Sequence, residues 1–187
     1  MLLQPGQPAP RFTADAVWKK ERVRLSLDSY EGLWVILFFF PSGFTFICPT
    51  ELGALALLHS VLTERNARII AISTDSAFAH KMAGLHSPNA QLVRFPLVAD
   101  RQGKIAKLYG VYSKNGGFAY RGVFFIDPEL RIRTFMVYDN SIGRGTHEIL
   151  RVLEALQYAD ESGRAVQADW YPGYMGLLPQ WPDAGKY

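Results

Sequence analysis

The chain has 187 residues, within the span of roughly 100–200 residues usual for a single domain, and 49% are apolar against 20% charged, which excludes a disordered chain and leaves no room for two large independent domains. Its 20 basic residues exceed its 17 acidic ones by only three, too few to call for a polyanionic partner. The longest apolar run, Leu33 to Phe40, has eight residues where a membrane helix needs roughly 20.

The opening MLLQPGQPAP has no basic stretch and no sustained apolar core before a small-residue cleavage site, so no secretory signal is read there and a cytoplasmic protein is expected. Lys19 to Arg24 is the densest basic stretch, and the alternation of Val23, Leu25 and Leu27 beside it reads as a strand with one wet face. A solvated edge explains those charges better than a nucleic-acid site. Val35 to Phe40 is continuously apolar, as a strand buried on both faces should be. Leu52, Leu55, Leu58 and Leu62 then mark an amphipathic helix over Pro49 to Glu64. Arg68 to Ser73 reads as a strand, Ser76 to Leu85 as a helix, Phe95 to Ala99 as a strand entered at a proline, and Gly103 to Tyr109 as a short helix. Gly122 to Asp127 and Arg131 to Tyr138 flank an Asp127-Pro128 turn and form a hairpin. A last helix runs from about Thr146 to Gln157, with Ile149, Leu150, Leu153 and Leu156 on one stripe. The order predicts an α/β fold with a mixed central sheet and helices on both faces. One domain is expected over residues 1–160, followed by a tail over 161–187. Trp170, Tyr171, Tyr174 and Trp181 in that tail suit packing on a neighbouring subunit.

Cys48 is the only cysteine, which excludes an intrachain disulfide, a Cys-x-x-Cys pair and any zinc site with two thiolates. It falls between a buried strand and a helix, in FFFPSGFTFICPTELGAL. Proline suits the first helical position and biases the residue before it away from helical geometry, so Cys48 is expected at the helix N-terminus. Unpaired N–H groups and the positive end of the helix dipole converge there and favour thiolate over thiol. A free cysteine is otherwise most often a small buried apolar residue. The crowding of Pro41, Thr45, Pro49, Thr50 and Glu51 around Cys48 is not needed by a core cysteine. Glu51, read as the third helical position, would disfavour a thiolate if left bare, so it is expected to pair with Arg121 or Arg144.

Other candidate sites are weaker. His59, His80, His86 and His147 are not spaced to put two ligands on one helical face, and they are read as surface or partly packed side chains. Asn115-Gly116-Gly117 and Gly143-x-Gly145 lack the lysine and strand context of a phosphate loop and read as turns. No metal or cofactor site is expected.

The motif Pro41-x-x-x-Thr45-x-x-Cys48, in the fuller form FTFICPTE, resembles the active-site motif of the peroxiredoxins, most of all the alkyl hydroperoxide reductase C and typical two-cysteine branch. The likeness extends through PGQPAPRF, the STDS of Ser73 to Ser76, YRGVFFIDP around Arg121, and NSIGR with the helix after it. It implies a thioredoxin-like fold in which Cys48 attacks a hydroperoxide, Thr45 orients thiolate and peroxide, Pro41 shields the sulfur from water, and Arg121 stands beside them. It also implies homodimers joined strand to strand, five of which can close into a ring. The chemistry asks for the same residue types, since displacement at a peroxide oxygen needs a thiolate and donors aimed at the charge growing on the departing oxygen.

The chain departs from that pattern where the two-cysteine branch carries its resolving cysteine. The matching stretch here is GRAVQADW, with Val166 at the resolving position and Gln167 after it. A sulfenic acid on Cys48 therefore has no second cysteine to condense with, and an external thiol, such as a thioredoxin-like protein or glutathione, must reduce it. Gly43 stands where an acidic residue is common and Ala83 where a tryptophan is, neither within the expected chemistry. The reading is a thiol-dependent peroxidase for hydrogen peroxide and organic hydroperoxides. Two alternatives are a peroxide sensor that passes oxidation to a partner protein, and a holdase with vestigial cysteine chemistry.

Overall fold

The computed structural model describes residues 3–186; Met1, Leu2 and Tyr187, at the ends of the expected domain and tail, lie outside the described residues. Two compact units are present, Met1–Arg144 and Gly145–Tyr187.

The first unit is organised by β3, Trp34–Phe39, whose six residues are all buried. It pairs in parallel with β4, Ala67–Ser73, and antiparallel with β6, Arg121–Ile126, so no edge of it is left open. Around it the seven-stranded mixed sheet runs β2-β1-β5-β4-β3-β6-β7, with β1 at Thr13–Trp18, β2 at Glu21–Ser26, β5 at Leu97–Ala99 and β7 at Ile132–Tyr138. Successive side chains of β3 leave on opposite faces. Val35, Leu37 and Phe39 join Ile70, Ile72, Val98, Phe124 and Ile126 in one core, together with Ile105 and Ala106 of α4, Lys104–Leu108. On the other face Phe38 lies under the Arg144 guanidinium, which is bonded to Glu51 of α1, Ile47–Glu64. Leu52, Leu55 and Leu62 are the buried leucines of α1. Helices thus cover both faces of the sheet.

The hairpin β6–β7 turns at Asp127, whose carboxylate accepts from the Arg131 N–H at 2.8 Å, with Leu130 buried in the left-handed region at φ 57°. Several elements differ from the expected plan. Thr13–Trp18 is a strand of its own, inserted between β2 and β5, and Leu27 belongs to a short 3-10 turn, Leu27–Tyr30, instead of the strand before it. The helix α2 occupies Ala77–His86, capped by Ser76 Oγ accepting from the Ala79 N–H at 3.0 Å, and one further turn, α3, follows at Pro88–Gln91.

In the second unit α5 runs over Thr146–Ser162 and stops at Gly163, whose φ of 65° is the left-handed cap glycine adopts at little cost. Trp170 is buried within this unit, its ring 5.0 Å from Tyr158 and its indole N–H donating to the Tyr174 carbonyl at 2.7 Å. Tyr171, Tyr174 and Trp181 are exposed. Among the described residues no helix is long and apolar enough to cross a membrane.

Candidate active site

At the C-terminal end of β3 the Phe40 N–H still donates to Ile72, and the chain then leaves the sheet through Pro41 to Phe46 before α1 begins. The loop is held by one carboxylate. Asp75 accepts from the Ser42 hydroxyl at 2.9 Å and the Gly43 N–H at 2.6 Å, and Ser73 donates to the same group at 3.1 Å. A Cβ on Gly43 would lie 3.6 Å from the Cβ of Ala83, so the two positions that depart from the family pattern are neighbours across this loop.

Helix α1 begins at Ile47, so Cys48 lies inside its first turn and not just before it, and Glu51 is the fifth helical residue instead of the third. A proline in the first turn costs no hydrogen bond, because the N–H it lacks has no intrahelical partner there. The bias it places on the preceding residue is overridden by that turn. Phe46 caps the helix without a side-chain hydrogen bond.

Cys48 is fully buried, and Arg121 Nη1 donates to its Sγ at 3.4 Å. The same Nη1 donates to Glu51 Oε2 at 2.6 Å, and Arg121 Nε donates to the Asn140 carbonyl at 2.9 Å. Arg144 meets Glu51 from the other side, through Nε to Oε1 at 2.8 Å, Nη2 to Oε2 at 2.9 Å and its backbone N–H to Oε1 at 2.9 Å. Its Nη1 donates to the carbonyls of Phe39 and Gly122 at 2.7 and 2.9 Å, and its guanidinium carbon stands 3.3 Å over the Phe38 ring. The carboxylate expected to pair with Arg121 or Arg144 pairs with both. Burial alone would raise the pKa of Glu51, but the hydrogen bonds and charge of Arg144, with the charge of Arg121, hold it below the ordinary carboxylate value. Burial pulls the pKa of Arg144 below its ordinary value, against the opposing pull of Glu51. Gly143 makes the approach possible, since a Cβ there would meet Ile47 Cγ2 at 3.2 Å. The glycine read as a turn residue is a contact point for α1.

Pro41, Thr45 and Arg121 line one cavity of about 200 Å³, together with Phe46, Ile47, Phe118 and Asn140. The Thr45 hydroxyl donates to the Ser42 carbonyl at 3.1 Å. The sequence alone brought forward Cys48, Arg121, Thr45 and Pro41, and missed Asp75 as the loop's anchor. Its signal was a carboxylate two residues past a buried strand. His80, read as a surface or partly packed residue, is buried, with Nε2 within 3.2 Å of the Val98 carbonyl and 3.4 Å of Ser73 Oγ. Among the described residues no cluster of histidine, cysteine and carboxylate side chains could hold a metal ion.

The AhpC/TSA family model matches residues 5–135. A thioredoxin peroxidase of Fasciola hepatica is 38% identical over 99% of this chain and 96% of its own length. The peroxiredoxin tpx1 of Schizosaccharomyces pombe is 40% identical over 92% of each chain. The crystal structure of Enterococcus faecalis AhpC superposes with a TM-score of 0.85 at 35% identity, covering 89% of this chain and 99% of the other.

Proposed function

The chain belongs to the AhpC/TSA family, and from that premise we propose that this peroxiredoxin reduces hydroperoxides at Cys48 in a cycle that uses no second cysteine. It is a thiol-dependent peroxidase on the thioredoxin-like α/β fold. The observation that carries the assignment to Cys48 is the 3.4 Å approach of Arg121 Nη1 to its sulfur, inside a buried set of two guanidiniums and one carboxylate. That set sums to one positive charge, and all four side chains, Cys48, Glu51, Arg121 and Arg144, are buried.

In the first step the Cys48 thiolate attacks the terminal oxygen of the hydroperoxide. The S–O bond forms as the O–O bond breaks, sulfur is oxidised by two electrons, and the alkoxide or hydroxide leaves and takes up a proton from solvent. Arg121 is aimed at the sulfur and at the cavity, where it can meet the charge on the departing oxygen. Glu51 holds that guanidinium in place. Thr45 and Pro41 border the same space, the hydroxyl orienting the peroxide and the ring keeping water from the sulfur. In the second step an external thiol attacks the sulfenic acid, releasing water and forming a mixed disulfide, and a further thiol regenerates Cys48.

A thioredoxin-like protein or glutathione is the class of reductant this cycle needs, and a reducing cytoplasm is the compartment that keeps such a thiol available. Strand β7 is a sheet edge with Val137 exposed, which suits dimers formed through paired edges and a ring built from them; in the tail, residues 161–187, the exposed Tyr171, Tyr174 and Trp181 suit packing on a neighbour, whereas Trp170 is already buried in its own chain. Peroxide consumption with thioredoxin, glutathione with glutaredoxin, and dithiothreitol, measured for the natural chain and Cys48→Ser, tests the reading. Full activity in Cys48→Ser would overturn it.

A further inference from the structure

A second cavity, of about 410 Å³, lies at the other end of the sheet from Cys48 and shares no lining residue with the cavity there. Arg68 and Ile69 on its wall stand at the start of β4, whereas the Cys48 loop leaves at the level of Ile72. The four positions from Arg68 to Ile72 span about 13 Å of strand. The volume is that of a small-molecule site. Its apolar walls come from Trp18, Tyr30, Leu33 and Phe95, and its charge from Arg24, Arg68 and Arg94.

The guanidiniums are not equal. Arg24 shares Asp15 with Arg22. Arg68 and Arg94 form no ion pair among the described residues and donate only to main-chain carbonyls, those of Thr63 and Ala67 and those of Gln91 and Val93. His59 lines the same cavity, its ring stacked 6.3 Å from Phe95; burial first, and then Arg68 and Arg94, push its pKa below the ordinary value. Arg94 and Phe95 also border a neighbouring cavity that adds Lys19, Lys20 and Lys81. Cations thus converge on an aromatic slot with no carboxylate on its wall.

We propose that this cavity binds a small organic anion, an aromatic or other apolar body carrying one carboxylate or phosphate, with the anion between Arg68 and Arg94 and the body against Phe95, Tyr30 and Trp18. A guanidinium offers a planar fork that matches either head group. The anion supplies the counter-charge that the wall lacks.

The test is titration of the reduced 187-residue chain with benzoate and phenyl phosphate, followed by ¹H–¹⁵N spectra. The Trp18 indole N–H, which donates to the Arg94 carbonyl at 3.1 Å, is the reporter. Saturable shifts are expected at that indole and at His59 and Phe95, with benzyl alcohol and inorganic phosphate binding far more weakly. Arg68→Ala with Arg94→Ala should weaken binding about a hundredfold, roughly tenfold for each guanidinium removed from the anion. Arg94→Ala alone, an exposed position, should lose about tenfold if the double variant does not fold. Peroxide consumption should stay unchanged in either folded variant. Benzyl alcohol binding as tightly as benzoate, variants that bind as the natural chain does, shifts confined to Arg121 and Asn140, or no saturation through the millimolar range would each overturn the proposal.

Discussion

Glu51 and Arg144 stand 93 positions apart and are joined by three hydrogen bonds, two from the guanidinium and one from the Arg144 backbone. Arg121 reaches the same carboxylate and also Cys48. Glu51 is therefore the hub through which the position of one guanidinium is set by the other.

Removing one member should be costly. Arg144→Met leaves the carbonyls of Phe39 and Gly122 without their donor and should lower stability by about 3–5 kcal/mol in urea unfolding. Combining it with Glu51→Leu should not recover that loss, because Arg121 is then buried without its carboxylate and the Phe39 and Gly122 carbonyls stay without the guanidinium. Peroxidase activity should be lost as well, since nothing then orients Arg121.

Arg121→Ala and Thr45→Val should keep the fold and slow single-turnover oxidation of Cys48 by about a hundredfold, the usual loss for one preorganised donor. A residue whose variant stays within about a factor of two of the natural rate, far short of that loss, takes no part in the peroxide step.

Asp75→Ala should release the loop. The Gly43 N–H and Ser42 hydroxyl lose their acceptor, which costs about 1–3 kcal/mol of stability. The peroxide rate constant should fall by about tenfold in proportion to the loop's disorder, as expected when reacting groups lose their fixed geometry. Asp75→Asn, which keeps one acceptor oxygen, should lie between the two in both stopped-flow and unfolding measurements.

His80 gives a pH signature. Burial, against the opposing charge of Asp75, lowers its folded-state pKa below the ordinary 6.5. The unfolded chain then binds a proton below about pH 6.5 that the folded chain refuses, so stability is full above that value and falls as pH drops through it. Glu51, also depressed in the fold, adds stability that persists above the carboxylate range and is lost only at lower pH. His80→Gln should reduce the slope between pH 7 and 5, leaving the share that His59 contributes, and leave the acidic limb intact, in urea midpoints taken across that range.

Val166 holds the expected resolving position, so oxidation should not alter the proposed assembly. Light scattering before and after one equivalent of peroxide should give the same mass, and mass spectrometry should show one added oxygen on the Cys48 peptide. A monomer in both samples would remove the assembly reading. A ring that falls apart on oxidation would show that Val166 does not uncouple the two.

Much of this site was legible in the sequence because strong local signals flank it. The apolar run of β3, the leucine spacing of α1 and the motif around Cys48 each fix a short stretch without reference to the rest of the chain. What escaped depends on long-range pairing. Thr13–Trp18 shows no clean alternation, and it becomes a strand because β2 and β5 stand on either side of it. The role of Asp75 is set by two groups more than thirty positions away. The burial of His80 follows from the place of α2 over β1 and β5, which no spacing within the helix reveals.

The Nη1 of Arg144 takes the last carbonyl of β3 and the second of β6 at once, so it closes the sheet at the point where the active-site loop departs. Over evolutionary time this ties two properties to one codon. A lineage that replaces Arg144 loosens this corner of the sheet in the same step that it alters the charge around Cys48, so a selective gain in chemistry would be offset by lost stability. Drift toward new peroxide preferences is left to the cavity rim, at Phe118 and the Asn140 side chain, because Arg121 holds only the backbone carbonyl of Asn140.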